Sequence, residues 1–215
     1  FYTAPRDGAG SPASPLLNNK DRNGSRSVLS NFAPTPFTLS MDDTVHEYRT
    51  VECAFQSLKY RFAARTLSNA TLRDAHLSYA SAIAHAQTPA VAFKMSSMKL
   101  NKDGTLNLAY ANPHFHTSVE KSRMETAFEA GVRSPTLHEL TTADRIQIMD
   151  LALAAKFEQN GTARQYLIST GTRVLIEHST RDSHWGDGGS GENRPDNNHL
   201  GKALMRVRSR LLDPV

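Results

Sequence analysis

Two groups of polar and aromatic residues in this sequence have the types and spacing that could support chemistry. The first follows Thr50 and contains Glu52, Gln56 and Lys59, whose i, i+4, i+7 spacing places them on one face of a helix. A carboxylate such as Glu52 is favoured near a helix N-terminus by the helix macrodipole. From spacing alone, a solvent-exposed face with a Glu–Gln pair remains the competing interpretation of this group.

The second group runs from the end of a predicted strand into a glycine-rich loop. It contains the carboxylates of Glu177 and Asp182, then Trp185 and the glycines Gly186 and Gly188. Glycine lets the backbone approach a ligand closely, and an indole offers a π face to a base. A lone tryptophan in a hydrophobic core is the alternative interpretation. Together the two groups supply carboxylates, an amine and a stacking ring, which an N-glycoside hydrolase with an oxocarbenium-like transition state requires.

Other kinds of catalytic or metal site find little support in the sequence. It contains no Walker loop, no His-Glu-x-x-His and no Gly-x-Ser-x-Gly. His114 and His116 lack nearby cysteine or acidic partners, so we interpret them as a surface pair and expect no metal site. Cys53 lies within a predicted helix and is interpreted as a small buried residue, not as a nucleophile. We therefore expect hydrolysis without a cofactor.

Helices are predicted wherever apolar residues recur at a helical spacing. Thr50 is a suitable N-cap for a helix whose apolar stripe is Val51, Phe55, Leu58 and Phe62. Further helices are predicted over 70–87, from Pro89 onward, from Ser118 to about Gly131, from Thr141 or Thr142 to Asn160, from Thr162 to Gly171, and after Asn198.

The remaining segments predict short strands and loops. Residues 30–39 suit a short edge strand or an extended loop, and 173–179 are β-like. Residues 3–27, rich in Pro, Gly, Ser and Asn, predict a loop insertion, and 186–197 predict a Gly-rich polar loop. Because strands and helices do not alternate, a doubly wound sheet is excluded. We expect one α+β domain over 1–215, mostly α, with several packed helices and a few short strands.

Composition and charge restrict the class of protein further. Of 215 residues 39% are apolar, which excludes a fully disordered chain. The chain has 25 Lys and Arg against 21 Asp and Glu, a formal charge of +4 that permits an anionic partner. Lys202, Arg206, Arg208 and Arg210 crowd one short segment, which predicts either a solvated helix face or a nucleic-acid contact.

The cysteine count and hydropathy predict the cellular setting. Cys53 is the only cysteine, so no intrachain disulfide is possible and an intracellular location, cytoplasm or nucleus, is expected. No apolar stretch approaches the ~18 residues of a membrane span. No charged-then-apolar leader opens the sequence, so we expect no membrane association. We also expect a monomer.

The order of these residues resembles the NADAR family, also called YbiA-like. Matching blocks run from one end of the chain to the other: Phe1-Tyr2, Ser30-Asn31-Phe32, Pro36-Phe37, Thr50-Val51-Glu52, Phe55-Gln56, Lys59-Tyr60, Met149, Lys156-Phe157, Thr170-Gly171, Trp185-Gly186-x-Gly188 and Asn198-x-Leu200-Gly201-Lys202. Two segments depart from the family pattern. Met95-Ser96-Ser97-Met98 stands where the family usually has Gly-Arg, and Thr142-Ala143-Asp144 stands where a second tryptophan is common.

The resemblance implies an enzyme that cleaves N-glycosidic bonds of ribose derivatives. Members of the family act on ribosylamino intermediates of riboflavin synthesis, and others remove ADP-ribose from guanine bases in nucleic acid. Between these we favour hydrolysis of ADP-ribosylated guanine, because the basic C-terminal segment suits a nucleic-acid substrate. A ribosylamino-pyrimidine N-glycosidase and a non-catalytic reader of ADP-ribose or NAD derivatives remain the alternatives.

The family motif also implies roles for individual residues. Glu52 would be the general acid/base or the group that stabilises positive charge at the anomeric carbon. Lys59 would donate to the leaving group or form a Schiff base with the opened ribose aldehyde. Gln56, with Phe55 beside it in the motif, belongs to the implied substrate-binding set.

The remaining implied site residues lie elsewhere in the sequence. Asn31 and Asp182 would orient ribose hydroxyls or water, and Asp182 is counted with the catalytic residues. Phe32 and Trp185 would pack against the base or the adenine. Backbone N–H groups of the loop from Gly186 to Gly188 would bind a pyrophosphate.

Overall fold

A computed structural model describes residues 2–4, 28–107, 118–136 and 139–213 of the chain. This part of the chain is mostly helical with a few short strands, which confirms the predicted class. Its elements, in chain order, are β1 (Tyr2–Ala4), β2 (Phe37–Met41), β3 (Thr44–Tyr48), α1 (Val51–Ala64), α2 (Ala70–Ala84), α3 (Pro89–Ser97), α4 (Ser118–Glu129), α5 (Thr142–Gln159), α6 (Gly161–Ser169), β4 (Val174–Ile176) and α7 (His199–Leu212).

The chain folds into two compact units. We call Leu39–Ile148 the central unit, and Phe1–Thr38 together with Met149–Val215 the terminal unit. The chain passes from one unit to the other within β2 and within α5. Each unit is described separately below, because each positions a different subset of the predicted site residues.

In the central unit, α1 packs against α2 and α3. Its core contains Cys53, which is buried as predicted. The Tyr60 hydroxyl donates to the Ser96 carbonyl at 2.7 Å, and the Tyr79 hydroxyl donates to the Met95 carbonyl at 2.8 Å. Two tyrosines thereby hold the end of α3 against α1 and α2, since a buried hydroxyl requires a hydrogen-bond partner.

The helix N-termini follow the capping residues in the sequence. The Thr50 side chain accepts from the Cys53 N–H and begins α1, as predicted. Pro89 occupies the start of α3, where its missing N–H costs no hydrogen bond. At α5, Thr141 and Asp144 form a reciprocal capping box: Thr141 N–H donates to Asp144 Oδ2 at 2.8 Å, and Asp144 N–H donates to Thr141 Oγ1 at 3.2 Å.

In the terminal unit, α7 packs against the short antiparallel pair of β1 and β4. Tyr2 lies opposite Ile176 and Ala4 opposite Val174. The predicted α7 stripe is confirmed, since its apolar members are buried: Leu200, Leu204, Val207 and Leu211. A Cβ at Gly201 would lie 2.2 Å from the Leu175 carbonyl oxygen, so only glycine permits this close approach of α7 to β4.

Several element boundaries differ from the sequence predictions. Thr3 and Ala4 belong to β1 and not to the predicted insertion, because their backbone pairs with β4. Residues 5–27 lie outside the described residues, as do His114 and His116. The helix predicted from Thr162 begins at Gly161.

The hairpin of β2 and β3 was not predicted as such. Its two-residue turn consists of Asp42 and Asp43, both with positive φ, as a tight hairpin turn requires. Because of Pro34 and Pro36, an extended segment was predicted over 30–39. The strand in the structure is Phe37–Met41. Period-2 alternation is weak over Thr44–Tyr48, because only Tyr48 is buried there.

Candidate functional site

The predicted site residues divide between the two units. The central unit holds four of them on α1: Glu52, Phe55, Gln56 and Lys59. The terminal unit holds the other six: Asn31, Phe32, Asp182, Trp185, Gly186 and Gly188. Of these six, the last four lie in one loop between β4 and α7, whereas Asn31 and Phe32 lie on the segment that precedes β2.

The polar face of α1 is buried. The exposed fractions of Glu52, Gln56 and Lys59 are 7%, 3% and 9%. The interpretation of this face as a solvent-exposed surface is therefore wrong. Buried polar groups require partners or a ligand, since burial without them is costly.

A hydrogen-bonded chain fixes Glu52 and Gln56. Gln56 Nε2 donates to Glu52 Oε1 at 2.7 Å, and Ser96 Oγ on α3 donates to Gln56 Oε1. Because the amide nitrogen of Gln56 faces Glu52, one carboxylate oxygen is held as a hydrogen-bond acceptor. Ser96 was not predicted as a site residue. The only sequence signal at this position was that Met95-Ser96-Ser97-Met98 departs from the family pattern.

Lys59 is buried on the same helix face. Its Nζ lies 5.6 Å from the centre of the Phe55 ring, at cation–π distance. Burial lowers the pKa of Lys59 to about 8; the positive charge of Arg145 acts in the same direction and Glu52 opposes it. An amine with this pKa exchanges a proton near neutral pH, which an ordinary lysine does not do.

Arg145 is a residue that the sequence reasoning missed. Its guanidinium donates to the Pro135 carbonyl at 3.3 Å and to the Leu140 carbonyl at 3.4 Å, which positions the side chain near the start of α5. The positive charge of Arg145 lowers the pKa of Lys59. No local motif joins two residues so far apart in sequence, so only the folded chain shows this relation.

Asn31 presents a buried acceptor in the terminal unit. Its exposed fraction is 8%, and its Nδ2 contacts Met149 Sδ at 3.5 Å. Asn31 Oδ1 is buried and has no hydrogen-bond partner among the described residues. An unsatisfied buried carbonyl is destabilising, so this atom is suited to accept from a ligand hydroxyl. Phe32 beside it is half-buried, and its N–H donates to Ser30 Oγ at 3.2 Å.

Lys156 supports the same segment from α5. It is fully buried, and its Nζ donates to the Ser30 carbonyl at 3.0 Å and lies 5.0 Å from the Phe157 ring centre. Burial lowers its pKa to about 7. Lys156 belongs to a block that matches the family pattern, but no role could be predicted for it, since nothing local distinguishes a buried lysine on a helix from an exposed one.

Asp182 holds the turn that carries Trp185. Its Oδ1 accepts from the N–H groups of His184 and Trp185, both at 2.9 Å. Trp185 is half-buried and packs edge-on against His184, with ring centres 5.0 Å apart. Asp182 therefore positions this turn, and its place among the catalytic residues stays a prediction.

Asp187 organises the glycine-rich loop and was missed as a site residue. Its side chain is fully buried and accepts four hydrogen bonds: from Ser179 N–H, Gly189 N–H, Gly191 N–H and His178 Nδ1. Burial on its own would raise the pKa of Asp187, but these hydrogen bonds outweigh it and lower the pKa to about 2.

Two of the three N–H groups that were expected to bind a pyrophosphate donate within the protein. The Gly188 N–H donates to the Asp182 carbonyl at 3.1 Å, and the Asp187 N–H donates to the Glu177 carbonyl at 2.9 Å. A Cβ at Gly186 would lie 2.8 Å from the Asp182 carbonyl oxygen. These glycines thus serve the close packing of the loop, and its N–H groups at 187 and 188 are already used.

Glu177, directly after β4, is a half-buried carboxyl of the terminal unit. Burial raises its pKa, and the negative charges of Asp182 and Asp187 add to this effect. The backbone N–H of Glu177 donates to Asn198 Oδ1 at 2.9 Å. Asn198 also donates from Nδ2 to the Leu175 carbonyl at 2.9 Å, so it ties the strand end to the start of α7.

The basic residues near the C-terminus make internal contacts. Lys202 Nζ donates to loop carbonyls, among them Pro195 at 2.9 Å, and Arg206 forms a bidentate ion pair with Asp150 at 2.9 and 2.8 Å. Arg208 is buried and donates to Thr170 Oγ1 at 2.6 Å. The interpretation of this segment as a fully solvated helix face is therefore wrong for these three cations, whereas its contact with nucleic acid stays a prediction.

Two further observations concern metals and membranes. In the described part of the chain, no group of three or more His, Cys, Asp and Glu side chains could hold a metal ion. No helix among the described residues has both the length and the apolar character needed to span a membrane.

Parts of this chain are similar in sequence to curated proteins. N-glycosidase YbiA of Escherichia coli is 40% identical over 79 residues, and the riboflavin biosynthesis protein VVA0006 of Vibrio vulnificus is 43% identical over 67 residues. These alignments cover 37% and 31% of this chain, and 48% and 17% of the relatives. The chain thus spans about half the length, or less, of these curated relatives.

A solved structure and a domain family also match. The NMR structure of Escherichia coli YbiA matches with a TM-score of 0.49 and 26% identity, covering 92% of this chain and 83% of that one. The NADAR domain model matches residues 18–212, which include all the predicted site residues. Since this match extends over most of the chain, the protein belongs to the NADAR domain family.

Proposed function

We propose that this protein is an N-glycosidase that hydrolyses the bond between C1′ of a ribose derivative and a nitrogen. The observation that carries the proposal is the buried polar face of α1, where Glu52 is hydrogen-bonded to Gln56 and Lys59 has a pKa of about 8. The names of the relatives, N-glycosidase YbiA among them, support the same reaction class.

In the proposed reaction Glu52 and Lys59 divide the proton transfers. As the C1′–N bond breaks, Lys59 donates its proton to the leaving nitrogen, and Glu52 accepts the proton of the water whose oxygen bonds to C1′. One water is consumed, and the products are a free ribose hydroxyl and a protonated amine or base. Gln56 acts as a positioning residue, because its amide holds one oxygen of Glu52.

The substrate that we favour is ADP-ribosylated guanine in nucleic acid. The net charge of +4 is compatible with a polyanion, which is the feature of this chain on which that choice rests. The second candidate is a ribosylamino-pyrimidine, which the name of the Vibrio vulnificus relative favours. We further propose that Asn31 accepts a hydrogen bond from a ligand hydroxyl, since its Oδ1 is buried and has no partner in the described residues.

The test compares both substrates with the same set of proteins. Wild type, Glu52→Gln and Lys59→Met are incubated with an oligonucleotide that carries ADP-ribose on one guanine, and separately with a ribosylamino-pyrimidine. Released ADP-ribose or pyrimidine is quantified by chromatography. We expect turnover of one substrate by wild type and losses of about 10²- to 10⁴-fold in both variants.

A matched control separates chemistry from a change of charge. Glu129 is an exposed glutamate at the end of α4, and Glu129→Gln should keep wild-type turnover. Turnover by Glu52→Gln at the wild-type rate would contradict the role of Glu52. Absence of turnover with both substrates, together with a raised melting temperature in ADP-ribose, would identify the protein as a reader. EDTA should leave turnover unchanged, since the proposed chemistry uses only side chains.

A further inference from the structure

A second face of α1 borders a cavity unrelated to the proposed catalytic residues. The cavity has a volume of about 330 Å³ and is lined by β3, α1 and α2, through Val45, His46, Glu47, Arg61, Ser81, Ala84 and His85. Arg61 lies nine residues after Glu52, which corresponds to the opposite side of the helix at about 100° per residue. The cavity lies wholly within the central unit.

Arg61 is a buried cation without a carboxylate partner. Its exposed fraction is 8%, and its Nε is buried with no hydrogen-bond partner. Among the described residues, the ion pairs of arginine involve Arg65, Arg194 and Arg206, and none involves Arg61. The Tyr48 hydroxyl is a neutral hydrogen-bond partner of Arg61 and leaves its positive charge without a counter-charge. Because burying an uncompensated guanidinium charge is costly, an anion in the cavity is the further partner that fits this side chain best.

Two histidines add donors to the same cavity. His85 Nδ1 lies 2.8 Å from the Ser81 carbonyl, and because a carbonyl only accepts, the proton is on Nδ1. His85 lines the cavity, and no hydrogen bond of its Nε2 to another described residue is seen. The pKa of His46 is lowered by burial and by the positive charges of Arg61 and His85, while Asp42 opposes this. The positive charges of Arg61 and His85 thus disfavour protonation of His46, which lines the same cavity.

The composition of the lining defines the class of ligand. An arginine fork, two imidazoles and the Ser81 hydroxyl are the donors that proteins use for phosphate groups. The one carboxylate of the lining, Glu47, is on an exposed strand position where solvent screens it. We propose that this cavity binds a phosphate group, either as free phosphate or as the phosphate of a small ester, with Arg61 as its principal ligand.

The test measures phosphate binding by isothermal titration at constant ionic strength. The probes are inorganic phosphate and ribose 5-phosphate, with chloride as the ionic-strength control. We expect binding by wild type, with affinity about tenfold weaker in Arg61→Gln. Arg133→Gln, which removes the same charge at an exposed arginine outside the cavity lining, should bind phosphate as wild type does. Tighter binding of the ester than of free phosphate would identify a small ester as the ligand, and equal affinities would identify free phosphate.

Two more variants keep the proposal testable if Arg61→Gln fails to fold. His85→Gln changes an exposed side chain and should weaken phosphate binding severalfold, whereas Glu47→Gln removes a negative charge and should strengthen it. Glu52→Gln should leave phosphate affinity unchanged, which separates this site from the proposed catalytic one. Undetectable binding by wild type at millimolar phosphate, or equal affinities in wild type, Arg61→Gln and His85→Gln, would overturn the proposal.

Discussion

The side chains of Lys59 and Lys156 are both buried. Neither is paired with a carboxylate by a close ion pair within the described residues. Burial therefore lowers the pKa of each amine, to about 8 for Lys59 and about 7 for Lys156. The consequences differ, because Lys59 shares its helix face with Glu52 while Lys156 holds the Ser30 carbonyl.

The pH dependence of turnover tests the assigned role of Lys59. If Lys59 donates the proton to the leaving group, kcat falls as the pH rises through about 8, because the protonated form is lost. Lys59→Met should lower kcat and remove this limb of the profile. A kcat that rises through pH 8, with an adduct trapped by borohydride, would instead indicate a Schiff base at Lys59.

The pH dependence of stability tests the burial of Lys156. Its pKa is lower in the folded chain than in the unfolded one, so between about pH 7 and 10.5 the unfolded state binds more protons and stability rises with pH. One such group contributes a slope of up to about 1.4 kcal/mol per pH unit. Lys156→Met should reduce the slope of unfolding free energy in urea over this range, and an unchanged slope would show that the amine is hydrated.

At the scale of elements, two glycines at helix starts have opposite surroundings. Gly201 on α7 has the Leu175 carbonyl 2.2 Å from the position of a Cβ, whereas Gly161 on α6 has nothing within 4 Å. Gly201→Ala should therefore destabilise the protein by about 1–3 kcal/mol through overpacking. Gly161→Ala should be neutral or stabilise it by up to about 1 kcal/mol. Equal midpoints of urea unfolding in the two variants would contradict the close approach of α7 to β4.

The loop between β4 and α7 shows what a glycine pattern alone does not determine. The family resemblance implied that backbone N–H groups of this loop bind a pyrophosphate. In the structure the buried carboxylate of Asp187 collects the N–H groups of Gly189 and Gly191. The loop's donors point toward its own carboxylate because that side chain needs partners in a buried position. Which acceptor the donors find depends on the folded path of the loop.

At the scale of the whole molecule, the net charge of +4 gives little indication of a nucleic-acid surface. Three of the four clustered C-terminal cations make internal contacts, and Arg210 is the exposed member. We expect Arg210→Gln to change the affinity for unmodified single-stranded DNA by less than about threefold and to leave the salt dependence nearly unaltered. Fluorescence anisotropy at several salt concentrations would check this. A large loss of affinity for DNA in Arg210→Gln would show that the basic segment contacts DNA.

The sequence by itself determined the family, the mostly helical class and the α1 motif. Helix starts at Thr50, Pro89 and Thr141 could be predicted because capping is a local interaction between residues three positions apart. Glu52, Gln56 and Lys59 could be placed on one face because helical geometry relates them directly. Their order along the chain carried the resemblance to the NADAR family.

The tertiary structure alone decided which polar residues are buried and what they contact. Spacing cannot distinguish a solvated helix face from one covered by α3, so the burial of Gln56 against Ser96 had to come from packing. The roles of Arg145, Lys156, Asp187 and Arg61 likewise depend on neighbours distant in sequence. Burial and long-range charge set pKa values and hydrogen-bond partners, and both are properties of the folded chain.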